Sequence, residues 1–169
     1  PKINANETSS SVAVWQLLPP ADATALAGNY IFRSVAGKLA LSVAADSTAP
    51  GAAVVQQADP PGASAVWTLA PTSGGYYQIK NAKSGLVMAV AGASVQAGAK
   101  IVQRVAQGMN PGDDQWWPVK NADGAYSFFN RNSQQALDDP ALATEPDTQY
   151  DQWFGNSSYA QQFNLIPQK

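Results

Sequence analysis

The sequence predicts an all-β chain in which three four-stranded units close around a pseudo-threefold axis. The first observation is a repeat. YIFRSVAGKLALS begins at Tyr30, YQIKNAKSGLVMA at Tyr77 and YSFFNRNSQQALD at Tyr126, so the copies stand 47 and 49 residues apart. A fixed period of this size takes priority over any local reading. The second observation is the texture within a copy: short runs of alternating apolar residues, punctuated by Gly, Pro, Asn, Asp and Ser. Such runs read as strands and such punctuation as turns. The third is physical. A four-stranded unit cannot bury a face alone, and closing three of them also removes exposed sheet edges.

Taken in order, residues 1–27 read as a polar tail or linker holding one short strand, VAVWQLL at 12–18, stopped by Pro19 and Pro20. Trp15 in AVWQL resembles Trp67 in AVWTL. This strand is either the end of a preceding module or an extra strand docked on the repeats. The repeats then occupy 28–75, 76–124 and 125–169. Strands are expected at 30–35, 39–44, 54–58 and 66–70, then 76–81, 86–91, 101–106 and 115–120, then 126–131, 135–138, 149–153 and 161–166. Each copy closes on an aromatic strand, and Trp67, Trp117 and Phe163 are expected in the core with Leu41, Met88 and Leu137.

Composition narrows the function. The 169 residues suit one domain with a sizeable core. A net charge of -2, with 13% charged residues, argues against a nucleic-acid partner, which needs a basic face. No stretch has the length and apolarity of a membrane helix or the basic amphipathic pattern of a membrane-surface one. With no Cys and no His, thiolate metal sites, disulfides and the usual general base are missing. No motif points to a cofactor or a metal. The acidic residues Asp138, Asp139, Glu145, Asp147 and Asp151 lack EF-hand spacing and are expected to form a solvated face. The polar, charge-poor composition and a first residue other than Met are expected of a processed, secreted protein or a piece of a longer one.

Only the third copy combines an Asp, Asp138, with an aromatic fifteen residues on, Trp153. At these offsets the first copy has Ser42 and Gln57, the second Ala89 and Arg104. Asp138-Asp139-Pro140 is also good turn chemistry, and Trp153 alone could be a core residue. The offset speaks for exposure, since Gln57 and Arg104 would otherwise be buried with it.

These features resemble the ricin B-type lectin family: the threefold period, the Gln-x-aromatic closing strands (read here at Gln115-Trp116-Trp117 and Gln161-Gln162-Phe163), and Leu137-Asp138 followed by Trp153. The resemblance covers residues 28–169 and implies a β-trefoil that binds sugar. It implies that Asp138 accepts hydrogen bonds from adjacent hydroxyls, that Trp153 stacks on the sugar ring and that Gln161 buttresses Asp138. The family's usual Asn before that Gln is Ala160 here, so Asn156 and Tyr159 on the same loop are candidate replacements. The first two sites are expected to be lost. The resemblance implies a galactose- or arabinose-type glycan as partner, and a non-catalytic accessory module of a secreted enzyme, such as a glycoside hydrolase, or of a lectin. Two other classes compete. A glycosidase needs paired carboxylates, and the two glutamates, Glu7 and Glu145, are placed by no motif. A protein-interaction trefoil, such as a protease inhibitor, needs only an exposed rigid loop.

Overall fold

The structure, a computed structural model, describes residues 25–108 and 110–169. The strand expected at 12–18 lies outside them. The described part is a β-trefoil of twelve strands. The first repeat holds β1 (Gly28–Ser34), β2 (Ala40–Val43), β3 (Val54–Gln57) and β4 (Val66–Pro71). The second holds β5 (Tyr77–Asn81), β6 (Val87–Val90), β7 (Ile101–Arg104) and β8 (Trp116–Lys120). The third holds β9 (Tyr126–Asn130), β10 (Ala136–Asp138), β11 (Asp151–Trp153) and β12 (Phe163–Gln168). Each of the twelve strands expected within the repeats is present, shifted by at most two residues at either end. The helical segments among the described residues are single 3-10 turns.

The first and last strands of each repeat pair in a ring, β1–β4–β5–β8–β9–β12 and back to β1, all antiparallel. The closed ring leaves none of these six strands as a free edge. The middle strands form three hairpins, β2/β3, β6/β7 and β10/β11. Single bridges Ala53–Val102, Val55–Gln149 and Lys100–Asp151 link the hairpins into a cap over one end.

One buried layer follows the threefold pattern: Phe32, Ile79 and Phe128 from the ring, Leu41, Met88 and Leu137 from the hairpins, and Trp67, Trp116 and Phe163 from the closing strands. The tyrosine that opens each copy sits opposite the closing aromatic, as Tyr30–Trp67, Tyr77–Trp116 and Tyr126–Phe163. The indoles cannot enter an apolar core without a partner for N–H. Trp67 Nε1 donates to the Leu41 carbonyl at 2.9 Å and Trp116 Nε1 to that of Met88 at 3.0 Å.

This register corrects one expectation. The second core aromatic is Trp116, wholly buried, whereas Trp117 is half-buried and packs edge-on against Tyr76 at 5.3 Å. A strand alternates faces, so a slip of one residue exchanges core for surface. The closing pattern of the second copy is therefore Asp114-Gln115-Trp116, with Asp114 where Gln161 stands in the third. Gln115 supports no sugar-site carboxylate; its Oε1 accepts from Thr72 Oγ1 and Arg131 Nη1.

Three buried glutamines tie the repeats together. Gln103 Nε2 donates to the carbonyls of Ser47 and Ala49, and Gln152 Nε2 to those of Ser94 and Gln96. Each also accepts from a serine, Ser84 and Ser133 respectively. The first-repeat equivalent, Gln56, closes the circle onto the third repeat by donating to the Ala143 carbonyl and to Asp139. Gly37 replaces the serine there, where a Cβ would lie 2.5 Å from the Ala143 backbone carbonyl oxygen.

Candidate functional site: a pocket on the third repeat

The hairpin β10/β11 places Asp138 opposite Asp151 and Ala136 opposite Trp153. Asp151 and Trp153 are two residues apart on one strand, so they share a face. The 140–142 turn after β10 and the loop before β12 rise on either side. Between them lies a cavity of about 390 Å³ lined by Asp138, Pro140, Leu142, Asp151, Trp153 and Asn156, among others. That is within the range of about 300–1,000 Å³ for small-ligand sites.

Three of the five residues expected from the sequence face this pocket: Asp138, Trp153 and Asn156. Gln161 lies buried behind it. Its Nε2 donates to Asp138 Oδ1 and to the Phe154 carbonyl, each at 2.9 Å, and its Oε1 accepts from the Asn156 N–H at 3.0 Å. It thus fixes both the carboxylate and the loop. Tyr159 turns elsewhere and lines a neighbouring groove. Trp153 is 45% exposed, leans on Gly98 of the second repeat and meets Phe154 edge-on at 6.1 Å.

Asp151 is the residue the sequence reading missed. The expectation of a solvated acidic face is wrong for three of the five acidic residues: Asp138, Asp139 and Asp151 are buried, and only Glu145 and Asp147 are exposed. The available signal was the two-residue spacing to Trp153. Asp151 Oδ2 meets Lys100 Nζ at 3.3 Å, while its buried Oδ1 has no hydrogen-bond partner. Such an oxygen is costly unless something fills it.

Burial is the main force raising the Asp138 carboxyl above the ordinary carboxylate range; Gln161 opposes it and the Asp151 charge adds to it. Burial raises Asp151 too, against the pull of Lys100. Behind them Asp139, wholly buried, is pushed up to about 6 by burial, opposed by its bond from Ser34 and reinforced by Asp138 and Asp151. Asp139 and Tyr150 stand where the other repeats have the core residues Val43 and Val90, and Val54 and Ile101. Among the described residues no three acidic, His or Cys side chains gather as a metal site. The pocket offers a flat aromatic face beside two fixed acceptors, the surface that a polyhydroxylated ring with apolar C–H patches fits.

A family model described as ricin-type β-trefoil lectin domain-like matches residues 13–104, over half of the sequence. The chain belongs to this lectin-like family. ThreeFoil, a designed protein of threefold symmetry, is 30% identical with a TM-score of 0.80, over 83% of this chain and 99% of its own. An exo-β-1,3-galactanase from Clostridium thermocellum is 25% identical (TM-score 0.76) over 83% of this chain, which spans only 30% of the enzyme. The ricin B-like lectin of Macrolepiota procera, solved with lactose, is 15% identical (TM-score 0.68) and shares the fold over 84% of this chain and 96% of its own. No curated protein matches the sequence.

In this lectin-like domain the first two repeats present different chemistry at the equivalent corners. Gln57 Oε1 accepts from the Gly62 N–H, and Asp46 accepts from the Ser64 N–H and pairs with Lys83. In the second repeat Arg104 reaches back to Asp113 at 2.5 Å and Asp114 at 3.6 Å.

Proposed function

We propose that the third-repeat pocket binds carbohydrate without catalysing its cleavage, with a galactose- or arabinose-type unit as ligand. The observation that carries this reading is the pairing of an exposed indole with Asp138, locked in place by Gln161. Trp153 supplies the stacking face, Asp138 the charged acceptor for neighbouring hydroxyls, and Asp151, which lines the pocket, a further acceptor. Family membership supports the ligand class. The likeness to part of a galactanase and to a lectin solved with lactose supports galactosides and a role as an accessory module or lectin. The polar, charge-poor composition supports an extracellular setting.

A glycan array tests this reading. The parent should bind terminal galactosides or arabinosides, and Trp153→Ala should lose them. Retention of the whole pattern by folded Trp153→Ala would refute the site. Binding to proteins with no response to any glycan would favour a protein-interaction trefoil, and release of reducing sugar would favour an enzyme.

A further inference from the structure

A second groove of about 520 Å³ adjoins the pocket, and Leu142 and Ser158 line both. Beyond that rim lie Tyr159, Gln162, Asn121 and Asp123. The third repeat differs from its siblings at two positions that shape this groove. Tyr159, 61% exposed, stands where the other repeats have Ala63 and Gly112. Leu142, also exposed, stands where they have Asp46 and Ala93. All three of these residues share a left-handed backbone (φ 58°, 55° and 52°), so that conformation belongs to the fold and only the side chain belongs to the site.

Gln162 supplies an independent observation. It is 7% exposed and lines the groove, yet its Oε1 has no hydrogen-bond partner. Its Nε2 donates to the Ser157 carbonyl at 3.3 Å. The equivalent in the second repeat, Gln115, has its Oε1 filled by Thr72 and Arg131. An acceptor without a partner therefore sits on a residue that lines the groove. At the far wall, Asp123 is exposed and engages the Ala125 N–H through Oδ1, and Asn121 Nδ2 donates to Ser127 Oγ.

We infer that this groove is a second sugar subsite, which takes the next unit of an oligosaccharide whose terminal unit occupies the Trp153 pocket. The inference rests on the carbohydrate reading of that pocket and names its ligand class: a glycan chain rather than a lone monosaccharide. The chain crosses the low rim at Leu142 and Ser158. The second ring lies against Tyr159, and its hydroxyls face the Gln162 amide and Asp123. An aromatic platform suits a pyranose ring for the same reason as Trp153 does.

Calorimetric titration of the whole chain with methyl β-galactoside, β-1,3-galactobiose and β-1,3-galactotriose tests the groove. The parent should bind the biose on the order of tenfold more tightly than the methyl galactoside, as expected from one added aromatic contact with its hydrogen bonds. Tyr159→Ala should erase that gain and leave the methyl galactoside affinity unchanged, while Tyr159→Phe should keep the gain. Equal parent affinities for the three ligands, or a full gain in Tyr159→Ala, would overturn the second subsite and leave the pocket standing. Failure of the parent to bind any of them would overturn the galactoside reading itself.

Discussion

The second and third repeats share a backbone plan and invert its chemistry. At four equivalent positions the second has Ala89, Arg104, Asp113 and Asp114, and the third Asp138, Trp153, Ala160 and Gln161. In the second, a cation folds inward onto two buried carboxylates, Asp113 and Asp114. In the third, the long side chain stays out and the carboxylate is held by a neutral amide. An arginine fills a corner by satisfying itself there. A tryptophan over a small, polar-walled hollow leaves that hollow to a ligand.

The largest way to break the comparison is to remove the cation. Arg104→Ala leaves Asp113 and Asp114 buried without their partner, a loss of about 3–5 kcal/mol of stability. Urea titration at neutral pH measures it, and a loss under 1 kcal/mol would mean that the pair is solvated. Of similar size is Trp116→Ala, expected to cost about 3–5 kcal/mol. Half-buried Trp117→Ala should cost clearly less, and the reverse order would restore the register read from the sequence.

On the third repeat, Asp138→Asn keeps the shape, removes the charge and exchanges an acceptor for a donor. A hydrogen bond to a charged group is worth about 1.5–3 kcal/mol, so affinity should fall roughly ten- to a hundredfold with little change in melting temperature. Binding should also weaken in acid. Because the Asp138 and Asp151 carboxyls are raised above 3.8, that loss should set in at a higher pH than for an ordinary aspartate.

Asp139 gives an effect of similar size, read as a pH dependence of stability. Its folded carboxyl sits at about 6 against 3.8 unperturbed. A raised carboxyl stabilises the fold fully below the unfolded value and loses that contribution as pH rises through the folded one. The parent should therefore lose stability relative to Asp139→Asn between pH 4 and 7, by about 2–3 kcal/mol at most. Parallel pH profiles for the two proteins would show Asp139 to be an ordinary surface carboxylate.

The fold was legible because the repeat carries it: the tyrosine spacing set the copies in register, and glycines and prolines marked the turns. The closing strand of the second copy was misread because Trp116 and Trp117 are adjacent, and composition does not say which of two tryptophans faces inward. Only the pairing with Tyr77 decides it. Asp138 and Trp153 stood out as departures from the sibling repeats, and Gln161 as part of a closing motif read also at Gln115. Asp151 was not, because an acidic residue near others reads as solvated, and its burial depends on β10 pairing across from it. The placement of Tyr159 was missed for a similar reason. Nearness on a loop does not say on which side of the Leu142–Ser158 rim a side chain falls.

Valency tests the central claim most directly. Calorimetric titration of the parent with methyl β-galactoside should fit one site per chain, with a dissociation constant on the order of tens of micromolar to millimolar, equivalent to about -7 to -4 kcal/mol. That site should vanish in Trp153→Ala. Two or three sites per chain, or a single site that survives intact in folded Trp153→Ala, would contradict the account.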